Sequence, residues 1–232
     1  MPWKLLLPAL VMVVAIHETV GQDRGPPPVP PRPGDDPTTA PPTVPGPGEY
    51  IVVDAPTCSV DIVFVVDESS SISTSWFDRV KRFIVDFLDC FTNLNDVWVG
   101  VIPLHCVPRT YLRLSPATDR DPFDFNQLMQ KGGQTRAGLA IRFMKDTSYF
   151  RIGVPRAAVV LTDGQSDSPV QAEADAARTA GIGLYAVSIG DLVDNAELEA
   201  IGGSSDHVFK SDNTCNVATR ILADLCGLTG NS

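Results

Sequence analysis

From Ala55 onward the chain alternates short, unbroken apolar runs with longer segments whose apolar residues recur every three or four positions. The first run, in DIVFVVDESSSIS from Asp61 to Ser73, leads directly into Asp67, Ser69 and Ser71. A run of that length with no polar alternation predicts a strand buried on both faces, whose polar end emerges at the edge of a sheet. Trp76, Phe77, Val80, Ile84, Phe87, Leu88 and Phe91 then fall at helical spacing, so an amphipathic helix follows it. Val97 to Leu104 reads as a second strand and Thr110 to Leu114 as a third, close enough to form a hairpin. Asp124 to Met129 and Thr135 to Met144 read as helices, and Ala157 to Thr162 as a strand ending in a second acid, Asp163. Ser168 and Pro169 predict the cap and first turn of an alanine-rich helix that stops near Gly181. Leu184 to Ile189 is a fifth strand, Asn195 caps a short helix through Ile201, His207 to Lys210 is a last strand, and Val217 to Leu225 is the closing helix.

Strands that alternate with helices predict an α/β fold: a doubly wound, mostly parallel sheet with helices on both faces. In such a sheet, neighbouring strands whose crossovers go to opposite faces leave a crevice at their carboxyl ends, where ligands bind. If the strands ending at Asp67 and Asp163 are those neighbours, both carboxylates enter one site. Thr135, after the glycines of KGGQT, can add an oxygen from a third loop. Carboxylates and hydroxyls are hard ligands suited to Mg²⁺, Ca²⁺ or Mn²⁺, and no imidazole or thiolate lies near enough in sequence to suggest zinc. Two carboxylates leave a dication unsaturated, so a position stays open for an acidic group of a partner. The simpler alternatives are that Ser69 or Ser71 caps the following helix and that Asp163 with Gly164 makes an ordinary turn.

The ends of the chain change the picture of where such a domain works. Lys4 and the apolar run Leu5 to Ile16, followed by small or polar residues to Gly21, have the layout of a secretory signal peptide over residues 1–21, implying secretion to the extracellular space. The run is short of the roughly 18 to 20 residues needed to span a bilayer, and no later run reaches that length. Residues 22–54 are so rich in proline, with so few large apolar side chains, that they predict an extended spacer, and the domain itself occupies residues 55–232.

The 232-residue chain carries a net charge of -10 and no basic stripe, which disfavours nucleic acid as a partner. The five cysteines, Cys58, Cys90, Cys106, Cys215 and Cys226, fit no zinc spacing, and in an exported protein they point to disulfides. Cys58 and Cys226 are the natural pair, because they would tie the ends of one domain together; loop entropy puts that crosslink at roughly 5 kcal/mol at most. An odd count leaves at least one thiol without an intramolecular partner. Catalytic readings lack their parts: there is no GxSxG nucleophile elbow, no GxGxxG after the first strand and no set of basic phosphate ligands.

DESSS, the threonine of GGQTRAGLAI and the aspartate of VVLTDG together resemble, in order and context, the three pieces of the metal-ion-dependent adhesion site of von Willebrand factor type A domains. The resemblance covers about residues 57 to 227. It implies a Rossmann-like, six-stranded sheet with one antiparallel edge strand. Ser69, Ser71 and Thr135 would ligate through hydroxyls and Asp67 and Asp163 directly or through water, with Mg²⁺ preferred over Mn²⁺ or Ca²⁺. The family's usual role implies an extracellular adhesion or protein-binding module rather than an enzyme, recognising an exposed Asp or Glu of a partner protein through the cation. The alternative is a structural extracellular-matrix component that self-associates through its acidic surface and cysteines, with the metal only steadying the loops. Two positions depart from the family pattern: Glu68 stands where many members have glycine and is expected to point to solvent, and Ala137 replaces a second threonine. The link GDLVDNAEL is too short for the extra helix of collagen-binding integrin inserted domains, which argues against collagen as the ligand.

Overall fold

The computed structural model describes residues 59–91 and 93–227 of the chain. The expected signal peptide, the proline-rich spacer and Cys58 lie outside the described residues.

The described residues form one six-stranded sheet in the order β3-β2-β1-β4-β5-β6. Its strands are β1 (Val60–Asp67), β2 (Val97–Leu104), β3 (Leu112–Pro116), β4 (Arg156–Thr162), β5 (Ile182–Ser188) and β6 (Val208–Lys210). All neighbours pair in parallel except β2 with β3, the antiparallel edge hairpin. All eight residues of β1 are buried, as its unbroken apolar run requires for a central strand with both faces covered. β1 lies between β2 and β4, so the strand order reverses beside it and the crevice opens at its carboxyl end.

The two faces have separate cores. On one, Ile62, Phe64 and Val66 of β1 pack with α1 (Thr74–Asp89) and α6 (Thr214–Cys226). The rings of Phe64 and Phe87 meet edge to face with centroids 5.2 Å apart, a geometry that contributes about 1 kcal/mol beyond burial. On the other face, Val63 and Val65 pack with α3 (Ala137–Thr147), α4 (Gln171–Thr179) and α5 (Asn195–Gly202). A short helix, α2 (Pro122–Asn126), precedes the loop that leads to Thr135.

Several boundaries differ from the sequence expectation for local reasons. β3 starts two residues late because the β2–β3 pairing shifts register between Val99 and Val101. Gly100 sits at that bulge, where a Cβ would lie 3.2 Å from the Leu112 carbonyl oxygen. The cap of α4 is not Ser168: the helix begins at Gln171, because the Ser168 carbonyl accepts a hydrogen bond from the Ser166 hydroxyl at 2.9 Å and the segment turns toward α3. The cap of α5 is Asp194, one residue before the expected Asn195, and its carboxylate accepts from the N–H groups of Ala196 and Glu197.

A disulfide joins Cys90, at the end of α1, to Cys215, at the start of α6, across 125 residues of sequence. Cys226 is also disulfide-bonded, and its expected partner Cys58 lies outside the described residues. Cys106 is the free thiol among the described residues and is half-buried.

Candidate metal centre

Three loops meet at the carboxyl ends of β1 and β4. The first begins with Asp67, fully buried, whose Oδ1 accepts the Ser69 N–H at 2.9 Å and whose Oδ2 accepts the Thr162 hydroxyl at 2.8 Å. The register Val66 with Leu161 places the ends of β1 and β4 side by side, which is why Thr162 reaches Asp67 and why Asp163 follows into the same crevice. The Ser69 and Ser71 hydroxyl oxygens lie 2.9 Å apart. Neither serine caps α1. That role belongs to Ser73, whose hydroxyl accepts the Trp76 N–H at 3.4 Å.

The second loop carries Thr135, 4% exposed, and is laced to the first. Gln130 Nε2 donates to the carbonyls of Ser69 at 2.9 Å and Ile72 at 2.6 Å, and the Gly133 N–H donates to the Ser70 hydroxyl at 2.8 Å. Gly132 and Gly133 have φ of 70° and 96°, a left-handed turn that glycine permits without strain. The third loop carries Asp163. Its Oδ1 accepts the Gln165 N–H at 3.0 Å. This loop also holds the second: the Thr135 N–H donates to Asp167 Oδ2 at 3.1 Å, and the Ala137 N–H donates to the Ser166 hydroxyl at 3.1 Å. At Ala137, the position lacking the family's second threonine, the backbone is therefore fastened by Ser166.

All five expected residues thus meet at one crevice: Asp67, Ser69 and Ser71 on the first loop, Thr135 on the second and Asp163 on the third. Among the described residues, neither Asp67 nor Asp163 forms an ion pair with a lysine or arginine. Burial, with a smaller contribution from the Asp163 carboxylate, pushes the Asp67 carboxyl up to about 6 despite its bonds from Ser69 and Thr162. Two buried acids at adjoining strand ends without a lysine or arginine partner among the described residues, beside hydroxyl oxygens, form a hard-oxygen donor set that fits a divalent cation. No group of three or more His, Cys, Asp or Glu converges as a chelate among the described residues, so a cation here would need oxygens beyond carboxylates.

One expectation about this site is corrected. Glu68 does not point to solvent: it is fully buried, and its two carboxylate oxygens accept Arg109 Nη1 at 2.5 Å and Nη2 at 3.1 Å. Sequence reading also missed Thr162, Gln130, the Ser166–Asp167 turn and Glu197 of α5. Thr162 was legible as the hydroxyl next to Asp163; the others act across 29 residues or more of sequence.

The model of the von Willebrand factor type A domain matches residues 61–221. The chain belongs to the von Willebrand factor type A family. This type A chain is 32% identical over 194 residues to the collagen alpha-6(VI) chain of Homo sapiens, covering 78% of its own length and 8% of that protein. It is also 32% identical over 184 residues to matrilin-4 of Mus musculus, covering 72% of itself and 29% of matrilin-4. Both relatives are extracellular-matrix proteins, and the chain spans well under half the length of either. The structure of proximal thread matrix protein 1 from the mussel byssus, with its metal-ion-dependent adhesion site occupied by zinc, superposes with a TM-score of 0.62 at 22% identity, over 75% of this chain and 46% of that one. At that identity the likeness shows the shared fold. Among the described residues, no helix is long and apolar enough to cross a membrane.

Proposed function

We propose that this type A domain is an extracellular protein-binding module that holds a divalent cation and, through it, an acidic residue of a partner protein. The observation that carries the reading is the pairing of Asp67 with Asp163 at adjoining strand ends, beside the Ser69–Ser71 hydroxyl pair and without a basic partner among the described residues. Ser69, Ser71 and Thr135 would supply hydroxyl oxygens, and Asp67 and Asp163 carboxylate oxygens, directly or through water. The cation supplies a positive charge at the surface. Mg²⁺ suits this donor set best, with Mn²⁺ or Ca²⁺ as alternatives. The hydrogen bonds that lace the three loops set the oxygens in advance, so little ordering has to accompany binding. A partner aspartate or glutamate would complete the coordination sphere, making this a recognition site rather than a catalytic one. Secretion from residues 1–21 and display on a proline-rich spacer would place the domain where its matrix relatives work.

The test is capture of extracellular-matrix proteins by the immobilised protein in Mg²⁺, in EDTA and with Asp67→Ala. Partners retained in Mg²⁺ and released by both EDTA and the substitution support the reading; capture indifferent to both refutes it.

The free, half-buried thiol of Cys106 favours a second reading, in which the chain assembles as a matrix component through disulfide-linked copies. Non-reducing electrophoresis decides between them: dimers that vanish with Cys106→Ser support assembly, and a monomer band in the wild type removes it.

A further inference from the structure

Glu197 is the third residue of α5, where a glutamate ordinarily folds back to accept the N–H of the cap residue. Here that N–H, from Asp194, already donates to the Asp163 carbonyl at 2.9 Å. Glu197 reaches away from its own helix instead, and Oε2 accepts the N–H of Ser166 at 3.2 Å. Oε1 is sealed from solvent and has no hydrogen-bond partner among the described residues. A buried carboxylate oxygen left in this way is costly unless something outside the protein's own donors compensates it.

The charges around it deepen the problem. No arginine or lysine among the described residues pairs with Glu197. Burial first, and then the carboxylates of Asp194 on its own cap, Asp163 on the third loop and Asp67 at the end of β1, push its carboxyl up to about 7, against a lowering bond from Ser166. Ser166 in turn receives the Ala137 N–H, and the adjacent Asp167 receives the Thr135 N–H and donates its own N–H to the Thr135 carbonyl at 2.8 Å. Glu197 therefore grips the turn that fixes Thr135, and it adds a negative charge beside those of Asp67 and Asp163.

We infer that Glu197 is a positioning carboxylate of the cation site: it holds the Ser166–Asp167 turn that sets Thr135, and its charge favours the cation from outside the ligand set. The inference rests on the cation reading above. It places Glu197 outside the direct ligands, consistent with the absence of a three-acid chelate among the described residues. Glu197→Gln keeps the shape and an acceptor for Ser166 while removing the charge; Glu197→Ala removes both.

The experiment is calorimetric titration of Mn²⁺ into the full chain as wild type, Glu197→Gln, Glu197→Ala and Asp67→Ala. At about pH 8, Glu197→Gln is expected to weaken Mn²⁺ binding about tenfold, the scale on which groups behind the ligands act, and Glu197→Ala more. At about pH 6.5, where most of the wild-type Glu197 has regained its proton while most of Asp67 keeps its charge, the difference between wild type and Glu197→Gln should shrink to about threefold. A merely structural role would weaken binding equally at both pH values and would overturn the inference. So would unchanged affinity of Glu197→Gln at the higher pH while Asp67→Ala abolishes binding. If Asp67→Ala binds Mn²⁺ as well as the wild type, the cation reading itself fails.

Discussion

Arg109→Ala should destabilise the domain by about 3 kcal/mol. The Glu68 side chain is fully buried, and both its oxygens are held by the Arg109 guanidinium, whose own side chain is 31% exposed. Removing one member of a buried pair leaves the other charged and desolvated, which costs about 3 to 5 kcal/mol. The partial exposure of Arg109 lets water reach the abandoned carboxylate once the guanidinium is gone, so the lower end of that range applies. The reverse truncation, Glu68→Ala, frees a guanidinium that can turn into solvent, and should cost about 1 kcal/mol. In the Glu68→Ala background, Arg109→Ala should then cost less than about 0.5 kcal/mol, giving a coupling of at least about 2 kcal/mol. Urea denaturation of the four proteins, oxidised and in EDTA, followed by tryptophan fluorescence, measures all the terms. An Arg109→Ala loss below about 1 kcal/mol, or additive single substitutions, would refute the assignment of Glu68 as a buried, paired carboxylate.

Gly138→Ala should lower thermal stability although alanine is the better helix former, because the new Cβ would lie 2.7 Å from the Pro169 carbonyl oxygen, a backbone atom that cannot rotate away. Overpacking of this kind costs about 1 to 3 kcal/mol, which exceeds the helical gain of about 1, and a melting curve reads the balance. Glu197 makes a pH-dependent contribution of definite sign. With its carboxyl raised from 4.5 to about 7, the folded state keeps a proton that the unfolded state has lost between those values, so stability falls as pH rises through that window. In EDTA, Glu197→Gln should gain stability relative to the wild type on going from about pH 4 to about pH 8, and a constant difference across that range would contradict the assignment.

The strands and the site loops were legible in the sequence for the same reason: each is a local pattern with one dominant physical cause. β1 has no polar residue from Ile62 to Val66 and could only be central, and its oxygen-bearing residues follow immediately, so the central strand and the first loop of the candidate site are read from one stretch. Asp163 was legible because β4 repeats that pattern and pairs directly with β1. Glu68 was not, because its burial depends on Arg109, 41 residues away on a loop with no pattern of its own. The α5 cap was misplaced by one residue because Asp194 and Asn195 are both good caps. What separates them is the Asp194 N–H, which is held by the Asp163 carbonyl and pins the cap where it is. In sequence Glu197 is one more residue of a short helix, because a capping glutamate and one that reaches across to another loop look the same there. Cysteine spacing alone does not choose among connectivities, so the pairing of Cys90 with Cys215 is visible only in the fold.

The central claim is that Asp67, Ser69, Ser71, Thr135 and Asp163 surround one divalent cation. A crystal grown with Mn²⁺ and measured at the manganese absorption edge tests it most directly. The account predicts one anomalous peak between the ends of β1 and β4, within coordination distance of the Ser69 and Ser71 hydroxyl oxygens, and its disappearance in Asp67→Ala. A crevice without anomalous density in the wild type, or a manganese ion bound only elsewhere on the domain, would contradict it.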